Sequence, residues 1–130
     1  IDMLKPNKYL REIGIDENFW LFKDAKSGDD RYKPDEDGFV NAEFWNLDST
    51  FAMYIYSHLC YFKEHCNVGH PGNMTWKQWN KCLDDMITAF RLLVEEDKIT
   101  DYKSVQSKNR EKKINYGLRL FAKHMRSLWY

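Results

Sequence analysis

The chain has 130 residues, of which 43% are hydrophobic and 16% aromatic, enough for one domain with one core. Its formal net charge is zero at pH 7, which removes any argument from overall charge for a protein that coats nucleic acid or an acidic membrane. The three cysteines lack repeated spacing, which argues against a disulfide framework and indicates a reducing compartment.

The charges are distributed unevenly along the chain. Residues 1–47 carry eleven acidic and seven basic side chains, whereas residues 98–130 carry two acidic and nine basic ones. The basic C-terminal third either pairs with the acidic remainder of the molecule or binds an anionic partner. No run approaches the roughly 18–20 apolar residues of a membrane span, and no signal-like segment opens the chain. We therefore expect a soluble intracellular protein.

Residues 1–47 are predicted to be an irregular segment packed on a helical core, because proline and glycine interrupt every candidate period there. A short helix is predicted over residues 16–23, with its aromatic side chains docked on the core. Residues 24–38, rich in Asp, Lys and Gly, are predicted to be an exposed loop, and residues 38–40 an extended piece.

Two helices are predicted over residues 48–96. The first, from about 48 to 65, follows potential cap residues and buries an apolar series, namely Phe51, Ile55, Leu59 and Phe62. The second starts at Thr75, which can form a capping box with Gln78, and should extend to about Glu96. Its predicted buried face contains Trp76, Trp79, Leu83, Met86, Ile87, Phe90, Leu93 and Val94. The short Gly- and Pro-rich connection makes the two helices antiparallel neighbours.

A third helix is predicted to begin near Ser104 or Ser107 and to bury an apolar series, namely Ile114, Leu118, Phe121, Met125 and Leu128. Gly117 interrupts this helix, and the usual structural reason is close approach of another backbone. The predicted fold is therefore all-α: one domain over residues 1–130, with an antiparallel three-helix bundle over 48–130 and an irregular N-terminal segment that carries a short helix.

Few residues suggest catalysis or metal binding. Three histidines and two cysteines lie within residues 58–70, but their spacing does not bring paired ligands together on a helix face or a tight turn. Cys66 with His70 or His124 is the best nucleophile pair that the sequence offers. Glycine-rich phosphate loops and the hydrolase elbow are absent from the sequence. We expect a protein that is not an enzyme, with no catalytic residue, metal or cofactor.

The last predicted helix carries a basic stripe, whose members are separated by seven, four and three residues: Lys112, Arg119, Lys123 and Arg126. Such a stripe can hold phosphates, and Trp129 and the other nearby rings, Tyr116, His124 and Tyr130, can stack on bases. The predicted ligand- or partner-binding residues are therefore Lys112, Arg119, Lys123, Arg126 and Trp129. The alternative is a solvated face, or one that pairs with the acidic residues 29–37.

Several segments resemble a family of small proteins encoded by tailed bacteriophages. They are Asn46–Thr50, Tyr61–Glu64, the turn Gly69–Gly72, the segment WKQWNKCLDDMITAF after Thr75, and the ending GLRLFAKHMRSLWY. The resemblance covers roughly residues 45–66, 69–91 and 114–130 and rests on helix-face residues. It implies a phage origin and a helical fold, and it carries over no activity or functional residue.

Together these observations predict a small phage-encoded, non-enzymatic binding protein in the host cytoplasm, with a homo-oligomer as one possible state. It would counteract host defence by binding a host protein or by sequestering a signalling nucleotide. The alternative is a nucleic-acid-binding accessory protein of phage replication, or a minor virion component. Aromatic residues that line a concave basic pocket would favour a nucleotide ligand, whereas a flat exposed aromatic face would favour a protein partner.

Overall fold

A computed structural model of the chain describes residues 6–15, 30–96 and 105–130. These residues contain four α-helices: α1 (Lys8–Glu12), α2 (Leu47–Tyr61), α3 (Trp76–Val94) and α4 (Val105–His124). Single turns of 3₁₀-helix lie at Asp30–Tyr32, Asn41–Phe44 and Met125–Ser127, and a π-turn spans Phe62–Cys66. No β-strand occurs in these ranges, so the all-α prediction is confirmed with three long helices.

The chain divides into two compact units, Ile1–Phe51 and Ala52–Tyr130. This boundary lies close to the predicted one at residues 47/48. Whether the whole chain behaves as one domain stays a prediction. The helix predicted over residues 16–23 lies outside the described residues. None of the helices that the structure describes combines the length and the apolar character needed to cross a bilayer.

The first unit is organised by short local structure. The side-chain oxygen of Asn7 accepts the Leu10 amide over 3.2 Å and so caps α1. Farther along, the Asp35 carboxylate accepts two backbone amides of the following turn, each over 2.9 Å, and Gly38 adopts a φ of +90°. Pro34 and Val40 then form an isolated antiparallel bridge. The predicted extended piece is therefore present at Val40.

The start of α3 follows the capping-box prediction. The Thr75 hydroxyl accepts the Gln78 amide over 3.1 Å, and the Gln78 side chain accepts the Thr75 amide over 2.9 Å. The helix ends at Val94, with Glu95 as its C-terminal cap, close to the predicted end. Its buried residues are Trp79, Cys82, Leu83, Met86, Ala89, Phe90 and Val94. Trp76, which was predicted to be buried, is 44% exposed. It lies on the same side of the helix as Leu83 but in the first turn, where its ring contacts the exposed His70.

Polar side chains connect the end of α2 to the start of α3. Lys63 in the π-turn forms an ion pair with Asp84 of α3. The Asn67 amide donates to the Asn80 side chain over 2.8 Å, and the indole Nε1 of Trp79 donates to Asn67 over 3.2 Å. Later residues of one segment contact earlier residues of the other, so the two segments are antiparallel, as predicted.

The closest packing of the long helices is between α3 and α4. Trp79 contacts His124, while Phe90 contacts Phe121 and Gly117 lies at Ala89, so the two helices are antiparallel. A Cβ atom on Gly117 would lie 2.6 Å from the carbonyl oxygen of Asp85 and would overlap the Ala89 side chain. The predicted close backbone approach at Gly117 is therefore present.

The buried face of α4 differs from the predicted one. The helix buries Ser107, Ile114, Gly117 and His124, whereas Leu118 and Met125 are 37% and 56% exposed. The physical reason is that Gly117, which has no side chain, lets the α3 backbone pack directly against α4. The Gly117 side of α4 therefore faces α3, and the adjacent Leu118 points toward solvent. A similar rotation occurs in α2, where the buried residues are Ala52, Met53, Tyr56, Ser57 and Leu59, and Phe51 is exposed.

Gly117→Ala should destabilise the fold, although alanine is the better helix former by about 1 kcal/mol. The added methyl group overlaps Ala89 and the Asp85 carbonyl, and such over-packing costs about 1–3 kcal/mol. Urea unfolding should show a lower free energy of unfolding for this variant. Gly72→Ala is the control, because its Cβ would meet no atom within 4 Å. An unchanged or higher stability of Gly117→Ala would contradict the packing described.

Thr75→Ala should lower the free energy of unfolding by about 1 kcal/mol, because the Gln78 amide would lose its acceptor. Thr75→Ser retains the hydroxyl and should stay close to the parent chain. Equal losses in the two variants would show that the threonine methyl group, rather than the cap, is responsible. Denaturant unfolding measured side by side separates these outcomes.

Candidate functional site

The candidate site is a groove of about 390 Å³ between α3 and α4. Its lining residues come from the turn before α3, the first half of α3 and the second half of α4: Asn73, Met74, Gln78, Lys81, Cys82, Asp85, Tyr116, Leu120, Lys123 and His124. The groove lies beside the close approach at Gly117, which fixes the separation of its two walls. It combines two lysines, one carboxylate and side-chain amides with an aromatic ring.

On the α3 wall, the Lys81 ammonium donates to the Asp85 carboxylate over 3.0 Å. The pair is spaced by four residues, which places both side chains on one side of the helix. The hydrogen bond to Asp85 and its negative charge raise the pKa of Lys81 above its ordinary value. Lys81 therefore remains charged at neutral pH and stays largely exposed to solvent.

His124 forms part of the α4 wall and is 9% exposed. Its ring meets the buried indole of Trp79 edge-on, with centroids 5.9 Å apart. Burial, and then the charge of the neighbouring Lys123, lower the pKa of His124 below its ordinary value. Within the described residues, its imidazole makes no hydrogen bond. A neutral imidazole therefore borders the groove at pH 7.

Cys82 is buried in the α3 wall. Burial raises the pKa of its thiol, and the negative charge of Asp85 adds to this effect. Because the thiolate is the reactive form, these surroundings disfavour a nucleophilic Cys82. The three cysteines are free thiols, and Cys66 and Cys82 are buried whereas Cys60 is half-buried.

In the part of the chain that the structure describes, no hydrogen bond joins the Cys66 thiol to His70 or His124, the partners that the sequence offered. Cys66 is buried at the end of the π-turn, whereas His70 is exposed. The His70 ring meets Trp76 edge-on at 4.9 Å, and its Nδ1 lies 2.9 Å from the carbonyl oxygen of Pro71. Among the described residues, no group of three or more His, Cys, Asp or Glu side chains is placed to hold a metal ion.

The five residues predicted from the sequence occupy separate places. All are exposed, and Lys123 is the one that lines the groove. Trp129, which is 76% exposed, instead borders a second cavity of about 360 Å³ beside Tyr130 and the turn at residues 68–72. Lys112, Arg119 and Arg126 line neither cavity. Tyr116 lies between Lys112 and Arg119 in the four-and-three spacing of the basic stripe. Together with Lys123, it lines the groove.

Sequence reasoning did not select the α3 wall of the groove. Lys81 and Asp85 carry a detectable signal, the four-residue spacing of opposite charges, but this pattern is equally typical of a solvated helix surface. Asp84, the neighbour of Asp85 in the sequence, instead forms an ion pair with Lys63. Only the packing of α3 on α4 distinguishes Asp85 and Lys81, which border the groove, from Asp84.

Most of the aromatic residues lie outside the groove. Tyr54, Tyr61, Trp76, Trp129 and Tyr130 are exposed on other surfaces of the second unit, while Tyr116 lines the groove. The molecule therefore presents both arrangements considered from the sequence, a concave basic site with one tyrosine and exposed aromatic surfaces. No protein-family model, curated protein sequence or solved structure matches the chain.

His124 should make stability depend on pH. Its pKa is lowered in the folded state, so between that value and the ordinary value of about 6.5 the unfolded chain binds more protons. The free energy of unfolding should therefore fall as the pH is lowered below about 6.5. His124→Gln should reduce this slope in unfolding experiments at several pH values. His70→Gln is the exposed control, and an equal change in both variants would contradict the assignment to His124.

Proposed function

We propose that this chain is a non-enzymatic binding protein that takes a small anionic ligand in the groove between α3 and α4. The proposed ligand is a phosphate monoester that also carries an aromatic base, such as a nucleoside monophosphate. One observation carries this proposal: Lys123 from α4 and Lys81 from α3, together with Tyr116, border the same groove. Two ammonium groups from different helices can hold one phosphate from both sides.

The remaining lining residues suit the rest of such a ligand. The exposed Tyr116 ring can stack on a base, a contact worth about 1–3 kcal/mol. Asn73 and Gln78 supply amide groups that can both donate and accept hydrogen bonds. The Gln78 side-chain oxygen already accepts the Thr75 amide, so its NH₂ group is the part best placed to donate. The groove volume of about 390 Å³ is within the range of small-molecule sites.

Charge balance sets the strength of the proposed site. Asp85 already neutralises Lys81, so an anion must share this ammonium with the carboxylate. Lys123 forms no ion pair within the described residues and would therefore be the principal phosphate contact. We expect moderate affinity, which falls with rising salt because the two lysines are solvent-exposed.

The resemblance to small phage proteins suggests a biological setting for this activity. A protein without catalytic chemistry can still act against host defence by holding a signalling nucleotide away from its receptor. A host protein bound through exposed aromatic residues is the second candidate, favoured by the exposed Trp129 and Tyr130. The two candidates use different surfaces, so they can be tested separately.

Isothermal titration with adenosine monophosphate tests the groove. Lys123→Glu should weaken binding at least about tenfold, equivalent to about 1.4 kcal/mol, because it replaces the main phosphate contact with a like charge. Lys108→Glu makes the same charge change on an exposed residue of α4 outside the groove and should bind like the parent chain.

Arg119→Glu separates the groove from the basic stripe predicted from the sequence. Arg119 does not line the groove, so its variant should lose much less affinity than Lys123→Glu. Equal losses would favour the stripe. No binding of adenosine monophosphate by the parent chain, or unchanged binding by Lys123→Glu, would overturn the proposed function. Circular dichroism of each variant checks that the helices are retained.

A further inference from the structure

Helix α2 and the π-turn expose a row of alternating tyrosines and histidines, Tyr54, His58, Tyr61 and His65, which we call the Tyr–His face. The separations of four, three and four residues are those of the seam along which one helix packs on another. Tyr54 and Tyr61 are 64% and 54% exposed, so the two large rings of this seam contact solvent over most of their surface. The row has the spacing of a helix interface and no helix packed on it in the described residues.

The side chains of the Tyr–His face are ordered by contacts along the helix. The rings of Tyr54 and His58 are stacked, with centroids 3.8 Å apart, and those of Tyr61 and His65 are 4.4 Å apart. The second contact shows that the π-turn keeps His65 in line with the row. Because these rings already hold each other in place, a partner would lose little affinity to the ordering of side chains.

One hydrogen bond fixes the chemistry that His58 presents. Its Nδ1 lies 2.7 Å from the carbonyl oxygen of Tyr54, and a carbonyl can only accept, so Nδ1 carries the proton. In the neutral ring, Nε2 is then an acceptor that faces away from its own backbone. A phenol hydroxyl is a suitable donor for it, and the Tyr–His face itself supplies phenol hydroxyls at Tyr54 and Tyr61.

We propose that two copies of this chain associate through the Tyr–His face, with their α2 helices antiparallel. The alternation of the row makes it self-complementary in this direction: Tyr61 of one copy lies opposite His58 of the other, and Tyr54 opposite His65. The Tyr61 phenol then meets the free Nε2 acceptor of His58, and the Tyr54 phenol meets the His65 ring, whose Nε2 lies 3.8 Å from the Glu64 carboxylate of its own chain. A parallel pairing would place tyrosine on tyrosine and histidine on histidine, without the donor–acceptor match. A two-fold axis between residues 58 and 61 relates the two helices.

The charge of the Tyr–His face and of the whole chain also permits a second copy to bind there. None of the four residues is an Asp, Glu, Lys or Arg, and the formal net charge of the chain at pH 7 is zero, so two copies do not repel through their overall charge. The four residues are outside the lining of the α3–α4 groove. This association is therefore independent of the proposed function, and either can fail without the other.

Sedimentation equilibrium over a wide range of protein concentration tests the association. The parent chain should form a dimer, and Tyr61→Glu should raise the dissociation constant at least tenfold, because it places a charge at the centre of the seam. Tyr61 is exposed in the single chain, so this variant should fold normally. Met125→Glu is the matched control, an equally exposed apolar residue in the 3₁₀ turn after α4, and should dimerise like the parent chain.

Cysteine cross-linking tests the antiparallel direction. In the double variant Tyr54→Cys, His65→Cys, the new thiols are about 16 Å apart along one helix, beyond the reach of a disulfide, but adjacent across the proposed interface. Mild oxidation with diamide should give a covalent dimer of the double variant. The parent chain, with its native cysteines, and Tyr54→Cys alone should give much less.

Three results would overturn the proposal. The first is a parent chain that stays monomeric at the highest concentration measured. The second is an equal effect of Tyr61→Glu and Met125→Glu, which would place the interface elsewhere. The third is cross-linking of Tyr54→Cys alone as efficiently as the double variant, which would indicate a parallel pairing.

Discussion

The close approach of α3 and α4 at Gly117 is the constraint on which the second unit depends. A glycine at this position lets the α4 backbone lie against Ala89 and the Asp85 carbonyl, where any side chain would collide. This contact fixes which side of α4 faces α3. It thereby places Lys123 across from Lys81 and creates the groove that we assign as the candidate site.

Local signals in the sequence predicted the helices well, whereas the faces that they bury were predicted less well. The capping box at Thr75 and the Gly-rich turn before it involve only neighbouring residues, so the sequence contains all the information needed. Leu118 and Phe51 were placed in the core because apolar spacing normally marks the buried face, yet both are exposed. Packing, which involves distant residues, determines the rotation of each helix about its axis.

For the same reason, the sequence predicted the α4 side of the candidate site but not its α3 side. Lys123 belongs to a visible basic stripe, so helical spacing alone selects it as a candidate ligand-binding residue. Lys81 lies 42 residues earlier in the chain and becomes relevant only when α3 lies beside α4. Trp129 was grouped with the stripe because it is near in sequence, but past the end of α4 it borders a different cavity.

Because of Asn67, the two parts of the connection between α2 and α3 should differ in how well they tolerate inserted residues. Its side chain bonds both Trp79 and Asn80, so the chain is attached to α3 before the turn at residues 68–72 begins. That turn is mostly exposed, and its two glycines have open space around them. Insertions after Gly69 would lengthen a surface loop without moving either helix, whereas one before Asn67 would detach the helices from each other. The turn is thus the natural position for a fused tag or an evolutionary insertion.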